Sequence, residues 1–273
     1  MSQLTPETFD HAHGVTARSQ VLWRLLEQAY GEDYPREVRP WGMTTWWVLG
    51  RCVAGLRVGP GQLFVDLACG RGGPGLWLAR ATGASVVGVD WSPVGVEAAR
   101  DRAPDFVPEG RARYVVGDLA GTGLQSGEAD AVLCLDAVFF APDRSAALRE
   151  ARRLLAPGGR YVLTAPERER PERPTHVVDW TPLLEEAGFE VESKEEVPRF
   201  AEQLGRMYEL WLEHLDEIRA EVGEKAAAGL EQEARLVGPG VARMRQQLIV
   251  ARPAGSRRAD TGMTPGPVSS RAE

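Results

Sequence analysis

The middle of the chain alternates short apolar runs with segments of helical periodicity. Seven of these runs are predicted to be strands, at residues 63–67, 86–90, 114–116, 131–135, 161–164, 189–191 and 247–250. Apolar residues at helical spacing follow most of the strands, which is typical of β-strand–helix–β-strand units. The pattern therefore predicts an α/β fold built on a largely parallel sheet.

Residues that start and stop helices frame the predicted helical segments. Ser92 and Pro93 open a helix that runs to about Ala103, because serine accepts a hydrogen bond from a free amide and proline has no amide to satisfy. Asp143 opens another helix, which the Pro-Gly-Gly run at 157–159 is expected to end.

Two amphipathic segments flank this unit. The first covers roughly residues 21–56, and the second is predicted as one helical stretch over residues 200–237, with apolar residues three and four positions apart. They can pack on the core, form a cap over the carboxyl edge of the sheet, where such sheets bind ligands, or do both.

Composition narrows the function classes. Lys+Arg 32 against Asp+Glu 39 gives a net charge of −7, which disfavours nucleic acid as a partner because phosphate contacts need a cationic face. No apolar run reaches the roughly 18 residues of a membrane span, and the polar first ten residues do not resemble a signal peptide. Cys52, Cys69 and Cys134 form no metal-binding or disulfide pattern, so we expect a cytoplasmic protein without a metal site.

A glycine-rich loop follows the first predicted strand. Gly70, Gly72 and Gly75 match G-x-G-x-x-G, and Asp90 stands at the end of the next strand, where a carboxylate can accept both hydroxyls of a ribose. By itself this pattern fits a nicotinamide enzyme nearly as well as any other nucleotide-binding protein.

Two further acids at the same sheet edge narrow the class of ligand. Asp66 lies inside the end of the first strand, and Asp118 ends the third. No Gly-Lys-Ser/Thr follows the loop, which excludes a phosphate-cradling loop. Three acids aimed at one crevice suit a ligand with an ammonium group, a ribose and an exocyclic amine.

The motifs VDLACGRGGPG, VVGVDWSP, VVGDLAGTGL and EADAVLCLDAVFF together resemble those of class I S-adenosylmethionine-dependent methyltransferases. More narrowly, they resemble the enzymes that methylate small molecules in bacterial secondary metabolism, including antibiotic biosynthesis. The resemblance covers about residues 60–193. It implies a Rossmann-like seven-stranded sheet, mostly parallel with the last strand antiparallel, helices on both faces, and S-adenosylmethionine as the cofactor.

The resemblance also assigns roles by position. Asp66 and the backbone of Gly70 and Gly72 would face the methionine moiety, and Asp90 the ribose. The adenine would lie beside Trp91 in a pocket defined by Asp118 and Leu119. Ala68 stands where the family usually has the first glycine of its loop.

The resemblance places Asp136 where the fourth strand opens onto the methyl group, which makes it the candidate catalytic residue. Methyl transfer is an in-line displacement, and a base is needed only if the acceptor must lose a proton first. Phe139 and Phe140 occupy positions where related O-methyltransferases often have histidines. Either the base comes from elsewhere or the acceptor needs none. The histidines considered as that base are His11, His13, His176 and His214.

An apolar, drug-sized acceptor is the preferred substrate. The aromatic residues expected to line its pocket are Trp41, Trp46, Trp47, Phe139 and Phe140. Two alternatives stay open: an NAD(P)-dependent oxidoreductase, and a cyclase or binding protein that keeps the methyltransferase fold. Methylation at oxygen, nitrogen or carbon is undecided, as is a homodimer.

The chain divides into four predicted parts. These are an N-terminal helical cap segment at 1–59, the cofactor-binding core at 60–194, a helical cap insertion with the last strand of the core at 195–252, and a disordered tail at 253–273.

Overall fold

The structure is a computed structural model that describes residues 5–173 and 175–255. Its strands are β1 (Leu63–Leu67), β2 (Ser85–Asp90), β3 (Ala112–Val116), β4 (Ala129–Cys134), β5 (Leu155–Arg168), β6 (Phe189–Glu196) and β7 (Met244–Pro253). They form one sheet in the order β3-β2-β1-β4-β5-β7-β6. Strands β1 to β5 pair in parallel, and β7 runs antiparallel to both β5 and β6. The predicted fold class is confirmed, including the antiparallel last strand.

Ten helices surround the sheet in the described part of the chain. They are α1 (Pro6–Thr16), α2 (Gln20–Tyr30), α3 (Trp46–Leu56), α4 (Gly73–Thr82), α5 (Pro93–Arg102), α6 (Arg144–Leu154), α7 (Thr181–Glu186), α8 (Phe200–Glu213), α9 (Leu215–Val222) and α10 (Glu224–Val237). Phe64 and Val65 of β1 belong to separate apolar clusters because successive strand residues face opposite sides of a sheet. Both faces of the sheet are therefore covered.

The starts of α5 and α6 follow their sequence signals. Ser92 Oγ accepts a hydrogen bond from the Gly95 amide at 3.0 Å, and Asp143 Oδ1 accepts one from the Ala146 amide at 2.8 Å. The predicted end of α6 at residues 157–159 is wrong. The helix ends at Leu154 because Leu155 already pairs with Ala129 of β4.

The predicted single helical stretch over 200–237 is also wrong in its continuity, because α8, α9 and α10 are separate helices. Breaks occur at His214 and at Gly223, whose φ of 83° lies outside the helical region. The predicted apolar positions from Phe200 to Ile218 lie on α8 and α9, on both sides of the break at His214.

We use "the cap" for α1–α3 and α8–α10. Within it, Glu221 of α9 accepts a hydrogen bond from the Gln20 amide at 2.8 Å, and Arg24 of α2 pairs with Glu217 of α9 at 2.8 Å. The domain bounds set at 59/60, 194/195 and 252/253 stay predictions. The part of the predicted disordered tail from residue 256 onward lies outside the described residues.

In the two described ranges, no helix combines the length and the apolar character that crossing a membrane would require.

Candidate active site

The loop between β1 and α4 turns through left-handed backbone. Ala68, Gly70 and Gly72 have φ values of 55°, 51° and 74°, and the Gly72 amide donates to the Cys69 carbonyl at 2.8 Å. Gly75 lies against Asp66, where any Cβ would overlap the carboxylate. The turn and this close approach explain why the loop is rich in glycine.

Asp90 fixes the loop to the end of β2. Its Oδ2 accepts a hydrogen bond from the Gly70 amide at 2.8 Å, and its Oδ1 accepts one from the Ser92 amide at 2.9 Å. The carboxylate is buried and takes part in both the glycine loop and the start of α5. The structure thus brings together Asp90 and Gly70, two residues predicted to bind the cofactor.

Asp66 is buried beneath the same loop, with a relative exposure of 4%. Burial, together with the nearby Asp90 charge and against the effect of the Gly75 amide, raises the pKa of Asp66 to about 8. Asp66 therefore holds a proton at neutral pH until a cation comes near its carboxyl group.

The predicted adenine residues occupy the loops that follow β2 and β3. Trp91 is half-buried, and its ring centroid lies 5.3 Å from that of Phe9 in α1. Asp118 is exposed, with Oδ1 accepting from the Ala120 amide at 2.7 Å, while Leu119 packs on the apolar cluster beneath it. Across the described residues, no hydrogen bond joins Asp118 to another predicted site residue.

Asp136, just after β4, adopts left-handed backbone with φ 53°. Its Oδ2 accepts hydrogen bonds from the Met43 amide at 2.8 Å and from Thr44 Oγ1 at 3.3 Å. Its Oδ1 accepts from Thr164 Oγ1 at 2.8 Å and from Gln246 Nε2 at 2.7 Å. Burial raises the pKa of this carboxyl, and the four donors lower it. Asp136 thus connects the cap segment before α3 to β5 and β7.

Two groups of aromatic rings lie at the cap. Trp41 stacks on Trp211 of α8 at 6.1 Å with an interplanar angle of 11°, and its edge meets Trp23 of α2 at 6.1 Å. In the other group, Phe140 lies 4.3 Å from Phe139 and 5.9 Å from Phe9.

The other two predicted pocket aromatics have different neighbours. Trp46 packs on Trp77 of α4 at 5.4 Å, and Trp47 lies beneath the Arg51 guanidinium at 5.7 Å. Neither ring makes a ring contact with Trp41, Phe139 or Phe140 in the described ranges.

Of the four histidines considered as a base, His13 lies at the glycine loop. Its Cε1 is 3.1 Å from where a Cβ on Gly70 would stand, and its Nδ1 is buried without a partner. Burial lowers the pKa of His13 to about 4, with Arg71 adding to the effect, so the ring is neutral at neutral pH. His214 pairs with Glu217 at 3.1 Å, and His176 lies in the segment after β5. The side chain of His11 is outside the described residues.

Comparison with known proteins identifies a domain within the chain. A family model described as a methyltransferase domain matches residues 65–163, which run from the glycine loop through β5. Residues 65–163 are therefore a methyltransferase domain. The predicted cofactor, S-adenosylmethionine, is thereby confirmed.

Curated methyltransferases resemble this chain to different extents. Methyltransferase GfsG of Streptomyces halstedii is 35% identical over 108 residues, which are 40% of this chain and 39% of GfsG. The 27-O-demethylrifamycin SV methyltransferase of Amycolatopsis mediterranei (strain S699) is 28% identical over 229 residues, 72% of this chain and 84% of that protein. The aligned part of the present chain therefore spans about two-fifths of the length of GfsG.

Solved structures share the fold. The [4+2]-cyclase SpnF superposes with a TM-score of 0.72 at 21% identity, over 92% of this chain and 98% of that one. An S-adenosylmethionine-dependent methyltransferase from Thiobacillus denitrificans, in complex with S-adenosyl-L-homocysteine, superposes with a TM-score of 0.62 at 19% identity, over 85% and 98%.

Several residues of this methyltransferase site were not predicted. Thr164 and Gln246 reach Asp136 from β5 and β7, and no local pattern marks them because β7 inserts beside β5 through the tertiary fold. Arg71 has a local signal in the sequence, since it is a long cationic side chain inside the glycine loop.

Proposed function

We propose that this methyltransferase transfers the methyl group of S-adenosylmethionine to a small, predominantly hydrophobic metabolite of the natural-product type. The observation that carries the proposal is the aromatic cluster of Trp23, Trp41 and Trp211 in the cap, linked through the adjacent Met43 to Asp136 at the carboxyl edge of the sheet. The relation to GfsG and to the rifamycin methyltransferase supports this class of acceptor.

The residues of the crevice fit the cofactor. Asp66 is a buried carboxyl, and no cation of the described residues is among the groups that act on it, so a cationic ammonium group would supply a partner. Asp90, Trp91, Asp118 and Leu119 follow β2 and β3 at the same edge and are our candidates for the nucleoside. When bound, S-adenosylmethionine supplies a methyl group on a sulfonium centre.

The protein contributes alignment, exclusion of water and electrostatics. The half-buried Trp41 and Phe139 and the exposed Phe140 are our candidates for the apolar surface that contacts the acceptor, and a ring face can stabilise a sulfonium charge. Asp136 remains our candidate catalytic residue. Its carboxylate already accepts four hydrogen bonds. These bonds favour a role in holding the Met43–Thr44 segment over a role in proton transfer.

We further propose that the protein works in the cytoplasm on a small molecule and not on nucleic acid. The net charge of −7 supports the expectation that nucleic acid is not a partner, because such a charge balance does not favour the cationic face that phosphate contacts need. The acceptor atom, oxygen, nitrogen or carbon, and the choice between monomer and homodimer stay open.

Calorimetric titration tests the cofactor half of the proposal. We expect S-adenosylmethionine and S-adenosylhomocysteine to bind and NADH and NADPH to give no binding heat. Asp90→Asn should weaken both ligands about 10- to 100-fold, because a charged acceptor is lost. The matched control is Asp130→Asn, whose carboxylate also accepts a backbone amide, that of Leu63 at 2.8 Å, but lies at the amino end of β4. Binding of NADH instead would favour the oxidoreductase.

A turnover assay tests methyl transfer itself and distinguishes a methyltransferase from a cyclase. The cyclase is the second candidate because SpnF superposes over nearly the whole of both chains. The protein is incubated with methyl-labelled S-adenosylmethionine and a panel of phenolic and hydroxylated macrocyclic acceptors. We expect labelled product and an equal amount of S-adenosylhomocysteine. Tight binding of the cofactor without its consumption by any acceptor would favour a non-methylating protein.

A further inference from the structure

Arg71 is a buried cation without a counter-ion. It lies in the glycine loop with a relative exposure of 7%, and its Nη2 is buried with no acceptor. The charged and titratable groups that act on it are Arg102, Arg39 and Tyr34. Within the described ranges, no carboxylate forms an ion pair with its guanidinium.

The surroundings hold Arg71 in place without neutralising it. Its guanidinium carbon lies 4.7 Å from the ring centroid of Trp23 in α2. Arg102 Nη1 donates to the Arg71 carbonyl at 3.2 Å, which fixes the backbone, and Arg102 Nη2 donates to the Val38 carbonyl at 2.8 Å. Burial lowers the pKa of Arg71 to about 10, with Arg102 contributing, so the side chain is still charged at neutral pH.

A desolvated charge of this kind is expected to have a partner of opposite charge in the working state of the protein. The acids of the crevice do not supply one. Asp90 accepts two backbone amides, Asp136 accepts four donors, and Asp66 is not among the groups that act on the Arg71 charge. The anion must therefore come from a ligand.

We propose that Arg71 is the counter-ion of the α-carboxylate of bound S-adenosylmethionine. This inference rests on the proposed function, because the residues assigned to the methionine moiety, Asp66, Gly70 and Gly72, surround Arg71 in the chain. The carboxylate is the one anionic group of that cofactor, and a planar guanidinium can bind it through two parallel hydrogen bonds.

Arg71 would also connect the bound cofactor to the cap. Because the Trp23 ring lies against the guanidinium, the residue that would bind the carboxylate is also the residue on which α2 packs. His13, whose buried Nδ1 lacks a partner, lies close enough to Arg71 for the arginine charge to act on its ring.

A double-mutant cycle between protein and ligand tests the proposal. The full-length wild type and Arg71→Met are titrated with S-adenosylhomocysteine and with its decarboxylated analogue, which keeps the ammonium group. We expect Arg71→Met to weaken S-adenosylhomocysteine about 10- to 100-fold and the decarboxylated analogue by less than about 2-fold. The control is Arg100→Met, whose Nη2 donates to the Tyr114 carbonyl at 2.8 Å, and it should leave both affinities unchanged.

The outcomes separate the two proposals. If the wild type binds neither ligand, the proposed function itself fails. If the wild type binds both and Arg71→Met weakens both equally or neither, the carboxylate assignment is overturned, and an anionic group on the acceptor becomes the candidate partner. Arg71→Met removes a buried unpaired charge and should fold. Arg71→Lys keeps the charge without the fork and should give an intermediate loss for S-adenosylhomocysteine alone.

Discussion

Ala68 holds a backbone conformation that favours glycine. Its φ of 55° puts the Cβ close to backbone atoms, which costs about 1–2 kcal/mol for an L-residue. We expect Ala68→Gly to raise the free energy of unfolding by about 1 kcal/mol, measured by urea denaturation. Ala228→Gly, at an exposed position inside α10, should lower it by about 1 kcal/mol. Equal losses in both variants would contradict the argument from backbone strain.

The buried Asp66 makes stability depend on pH. Its pKa is about 8 in the folded state against an ordinary 3.8, so between these values the unfolded chain is ionised while the folded one keeps its proton. Stability contributed by this group is complete below about pH 4 and is lost as the pH rises to about 8. Relative to Asp66→Asn, we expect the free energy of unfolding of the wild type to fall by about 1.4 kcal/mol per pH unit in this window. A difference independent of pH would show that Asp66 ionises normally.

Residues that act through neighbours in the chain were predictable, and those that act through the fold were not. Asp90 and Gly70 could be located because a strand, a glycine turn and a helix start follow each other directly in the sequence. The donors to Asp136 could not be located in the same way. Gln246 is 110 positions away and reaches Asp136 through the placement of β7 beside β5.

Among the elements, α1 lies over the crevice. Asp10 of α1 accepts a hydrogen bond from Ser92 Oγ, and Phe9 contacts the rings of Trp91 and Phe140. We predict that the cofactor passes α1 when it binds and leaves, so weakening these contacts should speed both steps.

We expect Phe9→Ala to raise the association and dissociation rate constants of S-adenosylhomocysteine about 2- to 10-fold, with a smaller change in Kd. Stopped-flow tryptophan fluorescence measures both constants. Glu7→Gln, an exposed position on the same helix, is the control. Rates identical to those of the wild type in Phe9→Ala would show that α1 is not a barrier.

In the cap, the apolar periodicity of the sequence predicts which helix faces are buried but not where the helices end. Apolar residues at spacings of three and four predicted the apolar faces of α8 and α9 up to Ile218, because that spacing indicates which side of a helix packs on its neighbours. It could not predict the breaks at His214 and Gly223, since a turn that keeps the same side buried leaves the spacing intact.

For the molecule as a whole, Asp136 is one of the points where the cap contacts the sheet. Asp136→Asn replaces one acceptor oxygen by an amide that faces the same donors, leaving buried groups unsatisfied. We expect a loss of about 2–3 kcal/mol in the free energy of unfolding, together with faster limited proteolysis near residues 41–45. Thr44→Val removes a single longer hydrogen bond, of 3.3 Å, and should lose about 1 kcal/mol or less. Unchanged proteolysis in Asp136→Asn would contradict this role.

The residues that hydrogen-bond to Asp136 are synthesised at different times during translation. Met43, Thr44, Asp136 and Thr164 are all synthesised before Gln246, which belongs to the final strand of the sheet. Until that strand is made, Asp136 lacks one of its donors and β5 lacks its neighbour. The two hydrogen bonds by which Asp90 joins the glycine loop to the start of α5 involve no residue beyond α5. During translation the cofactor side of the site can therefore form early, while the acceptor side is completed last.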